Sequence, residues 1–83
     1  MYKATITNQA GTVLFTAEGD VTMRDEIVWL FNDAISWRAG EVSQPNTGVV
    51  SAHIEWTRNG ETETLVATIP GQLGQTLIIE PAL

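Results

Sequence analysis

Residues 49–69 read VVSAHIEWTRNGETETLVATI, and this stretch decides the fold. Apolar and polar residues alternate on both sides of Asn59-Gly60, and a period of two is typical of strands that bury one face. Asn-Gly is the preferred dipeptide of the two-residue type I′ turn, because both residues accept a positive φ. The stretch therefore predicts a β-hairpin with positive φ at both turn residues.

A two-residue turn at Asn59-Gly60 also predicts the register of this hairpin, with Arg58 paired to Glu61 at the tip. One face of the hairpin is then mainly apolar and the other is polar and rich in threonine. The predicted pairs on the apolar face are Trp56–Glu63, Ile54–Leu65, Ala52–Ala67 and Val50–Ile69.

Working outward, the first 20 residues predict a second hairpin. Residues 2–8 alternate, with Tyr2, Ala4 and Ile6 on one side, and residues 12–17 alternate again. The predicted inward side of the second strand carries Val13, Phe15 and Ala17, and Leu14 points away. Between the strands, residues 8–11 supply turn residues.

A single helix is predicted between the two hairpins, over about 22–39. Thr22 with Asp25 three residues later is like a capping box, and Asp25 and Glu26 then lie in the first turn, where the helix dipole favours anions. Arg38 falls in the last turn, and Gly40 follows where a left-handed residue often ends a helix.

The helical wheel predicts which side of this helix is buried. The predicted apolar face comprises Ile27, Leu30, Phe31, Ala34 and Trp37, flanked by Met23, Val28 and Ile35. Trp29 falls in the middle of the polar face. We therefore expect Trp37 to pack against the sheet and Trp29 to be exposed.

The elements combine into one fold class. Residues 41–47 and 70–75 indicate loops, and residues 76–80 a short last strand that ends at Pro81. The order β-β-α-β-β-β predicts an α+β two-layer sandwich, in which one helix packs on a mainly antiparallel sheet. The 83 residues are expected to form a single domain, 1–83.

Charge and composition restrict the partners. Ten acidic residues against four basic ones give a net charge of −6, which disfavours nucleic acid and anionic membrane surfaces and favours a protein with a basic surface. Solubility alone also explains such a charge. No apolar run approaches the length of a membrane span, and the first residues do not resemble a signal peptide, so a cytoplasmic protein is expected.

Catalysis and metal binding have few candidate residues. The chain has no cysteine and one histidine, His53, which with Glu55 is expected on an open sheet face rather than in a cleft. A transition-metal site needs several histidine or cysteine ligands. We therefore expect no catalytic residue, no metal site, no cofactor and no enzyme activity.

The candidate partner-binding site is Trp29 with the polar residues one helical turn away: Asp25, Glu26, Asn32 and Asp33. Tryptophan is enriched at binding hot spots, where polar groups usually form the rim. The alternative interpretation is that the C-terminal segment or residues 41–47 fold over the helix and bury Trp29.

Two functions from different classes fit these observations. The first is a small acidic inhibitor or adaptor that docks on a larger protein; the size and charge fit phage- or mobile-element-encoded proteins that act on a host nucleic-acid-binding or defence machine. Mimicry of nucleic acid is a narrower form of it. The alternative is a structural subunit that assembles through sheet edges or the helix into a homodimer or larger homo-oligomer. Docking on a basic surface weakens with salt, whereas edge pairing does not.

Overall fold

Five strands and one helix follow one another along the chain. The computed structural model describes residues 1–42, 52–72 and 74–82. Its elements are β1 (Tyr2–Asn8), β2 (Val13–Gly19), α1 (Val21–Val42), β3 (His53–Asn59), β4 (Thr62–Thr68) and β5 (Gln75–Pro81). The helix packs on an antiparallel five-stranded sheet, which confirms the predicted α+β fold class and element order.

The strand order of the sheet is β2-β1-β5-β4-β3, so the last strand of the chain lies in the middle. Leu77 and Ile79 of β5 are the largest fully buried side chains. The helix packs on β1, β2 and β5. It therefore covers one side of the sheet mainly over these three strands, and β3 lies at the far edge. Among the described residues, no helix is long and apolar enough to cross a membrane.

The helix begins one residue earlier than predicted, because Asp20 caps it. The backbone N–H of Met23 donates to Asp20 Oδ1 (3.1 Å), and that of Arg24 donates to the Asp20 carbonyl (3.1 Å). Aspartate is a stronger N-cap than threonine, so the capping box predicted at Thr22 is wrong. With this start, Asp25 lies beyond the first turn, as does Glu26.

At its other end the helix continues to Val42 and passes through Gly40. The predicted end at Gly40 and the placement of Arg38 in the last turn are therefore wrong. A glycine inside a helix costs only about 1 kcal/mol relative to alanine, which neighbouring interactions can offset. Residues 41 and 42 of the loop predicted over 41–47 are therefore helical, and its residues from Ser43 onward lie outside the described residues.

Removing the cap should destabilise the protein measurably. Asp20→Ala is expected to lower the free energy of unfolding by about 1 kcal/mol, because the backbone N–H of Met23 loses the carboxylate oxygen that accepts its hydrogen bond. Urea unfolding followed by circular dichroism measures the loss. Asp25→Ala is the matched control, since its exposed pair with Arg24 (3.3 Å) contributes little. Equal losses in the two variants would contradict the assignment of the cap.

The buried face of the helix also differs from the predicted one. Ile27, Phe31, Ile35 and Ala39 are buried, whereas Leu30 and Trp37 are exposed. The buried series repeats every four residues and is rotated by about 80° from the predicted face. Apolar side chains occur all round this helix, so the wheel alone did not determine which side meets the sheet.

The turn of the second hairpin lies one residue later than predicted. Asn59 ends β3 and pairs with Thr62, so Gly60 and Glu61 form the turn. Gly60 has a φ of 64°, and within the described part of the chain only glycines have a positive φ. Neither Asn59 nor Glu61 therefore has a positive φ. The predicted type I′ turn is therefore wrong, and one positive φ at the first turn position is the pattern of a type II′ turn.

This change shifts the hairpin register by two residues. Arg58 pairs with Glu63 rather than Glu61, and its guanidinium lies 3.5 Å from the Glu63 carboxylate. Trp56 lies opposite Leu65, an apolar pair in place of the predicted tryptophan–glutamate pair. Because the shift is even, every side chain stays on its predicted face. The predicted pairs of residues 50 and 51 lie outside the described residues.

The positive φ makes Gly60 sensitive to substitution. An added β-carbon would meet no atom within 4 Å, so the cost of Gly60→Val comes from the backbone conformation alone. We expect a loss of about 1–3 kcal/mol in unfolding free energy. Glu61→Val, which places the same side chain at the next turn position, should stay within about 0.5 kcal/mol of wild type. Thermal unfolding of both variants tests this, and a tolerated valine at 60 would exclude the turn described here.

The first hairpin contains a β-bulge that the sequence pattern did not reveal. Ile6 pairs with Phe15 but Thr7 pairs with Val13, so Leu14 is the extra residue in β2. The predicted alternation therefore holds from Phe15 onward and is wrong at Val13 and Leu14. Leu14 lines a groove against the helix instead of pointing away, and Val13 takes the face of Thr7. A bulge of this kind places two successive side chains toward the same side.

Candidate functional site: the exposed surface of the helix

Trp29 lies on the outer surface of the helix, and 64% of the residue is exposed. The expected exposure is therefore observed. The C-terminal strand β5 lies within the sheet, on the other side of the helix, so it does not bury this indole. The other segment considered as a cover, residues 41–47, falls largely outside the described residues.

Most of the predicted neighbours of Trp29 share its exposed surface. Asp25, Glu26 and Asp33 are exposed, and helical spacing places each of them three or four residues from the indole. Asn32 differs, because it is half-buried and its Nδ2 donates to the Val28 carbonyl (2.9 Å). Its amide is therefore engaged by its own helix and contributes less to a binding surface.

The carboxylates around Trp29 are unequally compensated. Asp25 Oδ1 accepts from both Nε and Nη2 of Arg24 (3.3 Å each), and the Arg24 guanidinium also lies 4.9 Å from the centre of the Tyr2 ring. Within the described part of the chain, no cation pairs with Glu26 or Asp33. The surface therefore presents an exposed indole between two unneutralised carboxylates, which attracts cationic side chains.

Sequence reasoning missed two further exposed tryptophans. Trp37, predicted to be core, is 69% exposed on the flank of the helix that faces β2. Trp56 is 54% exposed on β3, beyond the strands that the helix covers, and its Nε1 donates weakly to Glu63 Oε2 (3.4 Å). The strand order decides both exposures, and the alternation of single strands carries no information on that order.

The helix does not fully cover the sheet beside β2, and open space remains between them. A hollow of about 230 Å³ opens between Phe15 and Leu30, and its lining is almost wholly apolar. A larger groove of about 650 Å³ follows toward the C-terminal end of the helix, between Leu14 and Trp37. At that end Arg38 Nη2 donates to Gln72 Oε1 (2.8 Å), which ties the helix to the loop before β5. Large apolar side chains therefore border open space along this flank.

The residues considered for catalysis are not assembled into a site. His53 and Glu55 are exposed on the sheet face that points away from the helix, as expected, and not in a cleft. In the ranges 1–42, 52–72 and 74–82, no group of three or more histidine, aspartate or glutamate side chains could hold a metal ion.

The face of the sheet opposite the helix is rich in threonine, as predicted. One row crosses all five strands in register: Thr16, Thr5, Ile78, Thr64 and Thr57. Such a face offers hydroxyl groups, whereas the hollow and the groove described above both lie on the helix side of the sheet. The helix surface around Trp29 therefore remains the best candidate site. No protein-family model, no curated protein and no solved structure matches this chain.

Proposed function

We propose that this chain is a small acidic protein-binding module, and not an enzyme, that acts as an inhibitor or adaptor by docking its helix on a basic surface of a larger protein. The observation that carries the proposal is the exposed Trp29 between Glu26 and Asp33, two carboxylates without a cationic partner among the described residues.

Each part of this surface has a distinct role in the proposal. The indole of Trp29 enters an apolar socket of the partner, where burial of its large surface supplies most of the binding free energy. The carboxylates of Glu26 and Asp33 meet lysine or arginine side chains at the edge of the contact, which speeds association and orients the two proteins. Asp25 contributes less, because Arg24 already offsets its charge.

The partner in this proposal is a protein and not a nucleic acid, because phosphates would be repelled by a chain of net charge −6. Proteins that bind nucleic acids carry the basic surfaces that such a module requires. A host nucleic-acid-binding or defence machine, reached in the cytoplasm by a phage- or mobile-element-encoded protein, is the proposed setting.

An affinity experiment with three forms of the protein tests this function. Wild type, Trp29→Ala and Trp56→Ala are immobilised and exposed to lysate of the source cell at about 50 and about 500 mM salt, and retained proteins are quantified by mass spectrometry. We expect at least one basic protein that is retained by wild type and Trp56→Ala, and that is lost with Trp29→Ala or at high salt. A retained set that is identical for all three forms at both salt concentrations would refute the proposal.

A further inference from the structure

The edge strand β2 has little of the protection that usually prevents pairing with another strand. Exposed edges are normally protected by charges, prolines or bulges. From Val13 to Ala17, β2 carries no charged residue and no proline, and Leu14 and Phe15 are about half exposed. Its one charged residue, Glu18, lies next to the end of the strand, whereas the opposite edge strand, β3, carries Glu55 and Arg58. The bulge at Leu14 leaves residues 15–19 of β2 in regular register.

The apolar surface of this edge continues onto the helix. Phe15 and Leu30 line the same hollow, and Leu14 and Trp37 line the same groove. The bulge contributes to this continuity, because it directs both Leu14 and Phe15 toward the helix. The result is one patch, formed by Leu14, Phe15, Leu30 and Trp37, that runs from the unpaired strand to the exposed flank of the helix.

We propose that a second copy of this chain covers this patch, with β2 of each copy paired antiparallel to β2 of the other. The two sheets then form one ten-stranded sheet around a two-fold axis. Because that axis is perpendicular to the sheet, both helices lie on the same side of it. Their exposed flanks then face each other across the seam, the line along which the two β2 strands pair. The interface is isologous, so the same patch serves both copies.

Distances support this arrangement. The helix covers β2, β1 and β5, so its axis lies about one strand away from β2. With strands spaced by about 4.8 Å, the two helix axes would be about 14 Å apart. This separation is wider than the 8–10 Å of direct helix packing, so large side chains must fill it. Leu30 and Trp37 lie on the helix flank that borders this gap, next to Leu14 and Phe15 of β2.

Charge and area favour a second copy over a basic partner at this patch. A seam centred near Thr16 keeps the two Glu18 carboxylates about 13 Å apart, at opposite ends of the paired strands. A basic partner would find no carboxylate within the patch itself. The four apolar side chains and the strand edge offer on the order of 500 Å² per copy, or about 1,000 Å² per dimer, which reaches the lower range of specific interfaces.

This dimer goes beyond the proposed function and stands independently of it. Trp29 lies about 80° around the helix from Trp37 and outside the patch, so both surfaces can be occupied at once. Loss of dimerisation would leave the docking surface in place, and loss of docking would leave the dimer. A dimer would also present two docking surfaces on the same side of its sheet, which increases avidity for a repeated partner.

Sedimentation velocity of the full chain tests the dimer, with a matched pair of variants. Thr16 and Thr57 are both exposed and lie at opposite ends of the threonine row, so Thr16→Lys and Thr57→Lys make the same change on the two edge strands. Thr16→Lys places two like charges at the two-fold axis, and we expect it to weaken dimerisation by about tenfold or more. Thr57→Lys should stay within about threefold of wild type. Circular dichroism verifies that both variants are folded.

Two further measurements distinguish the seam from other contacts. Trp37→Ala should weaken the dimer by about tenfold, since it removes the side chain that fills the gap between the helices. Raising salt from about 50 to about 500 mM should preserve or strengthen the dimer, because both copies are acidic. A chain that stays monomeric at about 500 µM, or a dimer that is lost with Thr57→Lys and kept with Thr16→Lys, would overturn the proposal.

Discussion

Phe31→Ala is expected to lower the free energy of unfolding by about 3–5 kcal/mol, the largest loss from any single helix side chain. Phe31 is only 4% exposed and belongs to the core that the helix forms with the sheet. Removal of its ring deletes buried apolar surface and leaves a cavity that the surrounding side chains close only in part. A domain of this size has only about 4–12 kcal/mol of stability, so the variant should be close to unfolding.

Trp37→Ala is the informative comparison, because the wheel placed Trp37 in the core as well. With 69% of the residue exposed, its truncation should cost under about 1 kcal/mol. Urea unfolding at a concentration where the chain is monomeric measures both variants, and Phe31→Leu provides a milder change if Phe31→Ala does not fold. A larger loss for Trp37→Ala than for Phe31→Ala would show that the helix rests on the sheet by its other flank.

The hairpin of β3 and β4 illustrates what could be predicted from sequence. Its faces follow from alternation and survive a two-residue shift of register, because the shift is even. The turn itself could not be predicted in the same way. Asn59-Gly60 favours type I′, but the observed register pairs Trp56 with Leu65 in place of Glu63, and it keeps an arginine–glutamate pair by exchanging Glu61 for Glu63. Cross-strand side-chain contacts thus outweigh the local preference of a turn dipeptide.

Which face of the helix is buried depends on tertiary contacts that cannot be read from the helix sequence alone. A wheel locates a buried face when polar and apolar residues separate cleanly, and here Trp29, Leu30 and Trp37 extend the apolar residues around the helix. The sheet beneath selects the series that contains Ile27 and Phe31. That selection requires the strand order, in which β1 pairs with the last strand of the chain, and such long-range pairing has no local signature.

The candidate site was predictable only in part, for the same reason. The exposure of Trp29 follows from the carboxylates one turn away, because a buried indole would take several charges into the core with it. The patch on β2 could not be foreseen, since it depends on the position of β2 at the edge of the sheet and on the bulge that turns Leu14 toward the helix. Surfaces formed by two elements require the fold before they can be recognised.

Trp29→Ala is expected to weaken binding to the partner by about 2 kcal/mol or more, roughly 30-fold in affinity, while costing under about 1 kcal/mol in unfolding free energy. The two effects separate because the indole is exposed in the isolated chain and becomes buried only in the complex. Stability therefore does not depend on it, whereas an anchor in a desolvated socket carries much of the binding free energy. Calorimetry with the basic protein retained in the affinity experiment measures the change.

Two controls make this result specific to the helix surface. Trp56→Ala removes another exposed tryptophan, from β3, and should change affinity by less than about threefold. Asp33→Asn keeps the shape of the side chain and removes one unneutralised carboxylate beside Trp29, so it should slow association and reduce the salt dependence while the dissociation rate changes little. If Trp29→Ala binds as tightly as wild type while Trp56→Ala does not, the docking surface lies on β3 and the helix is not the recognition element.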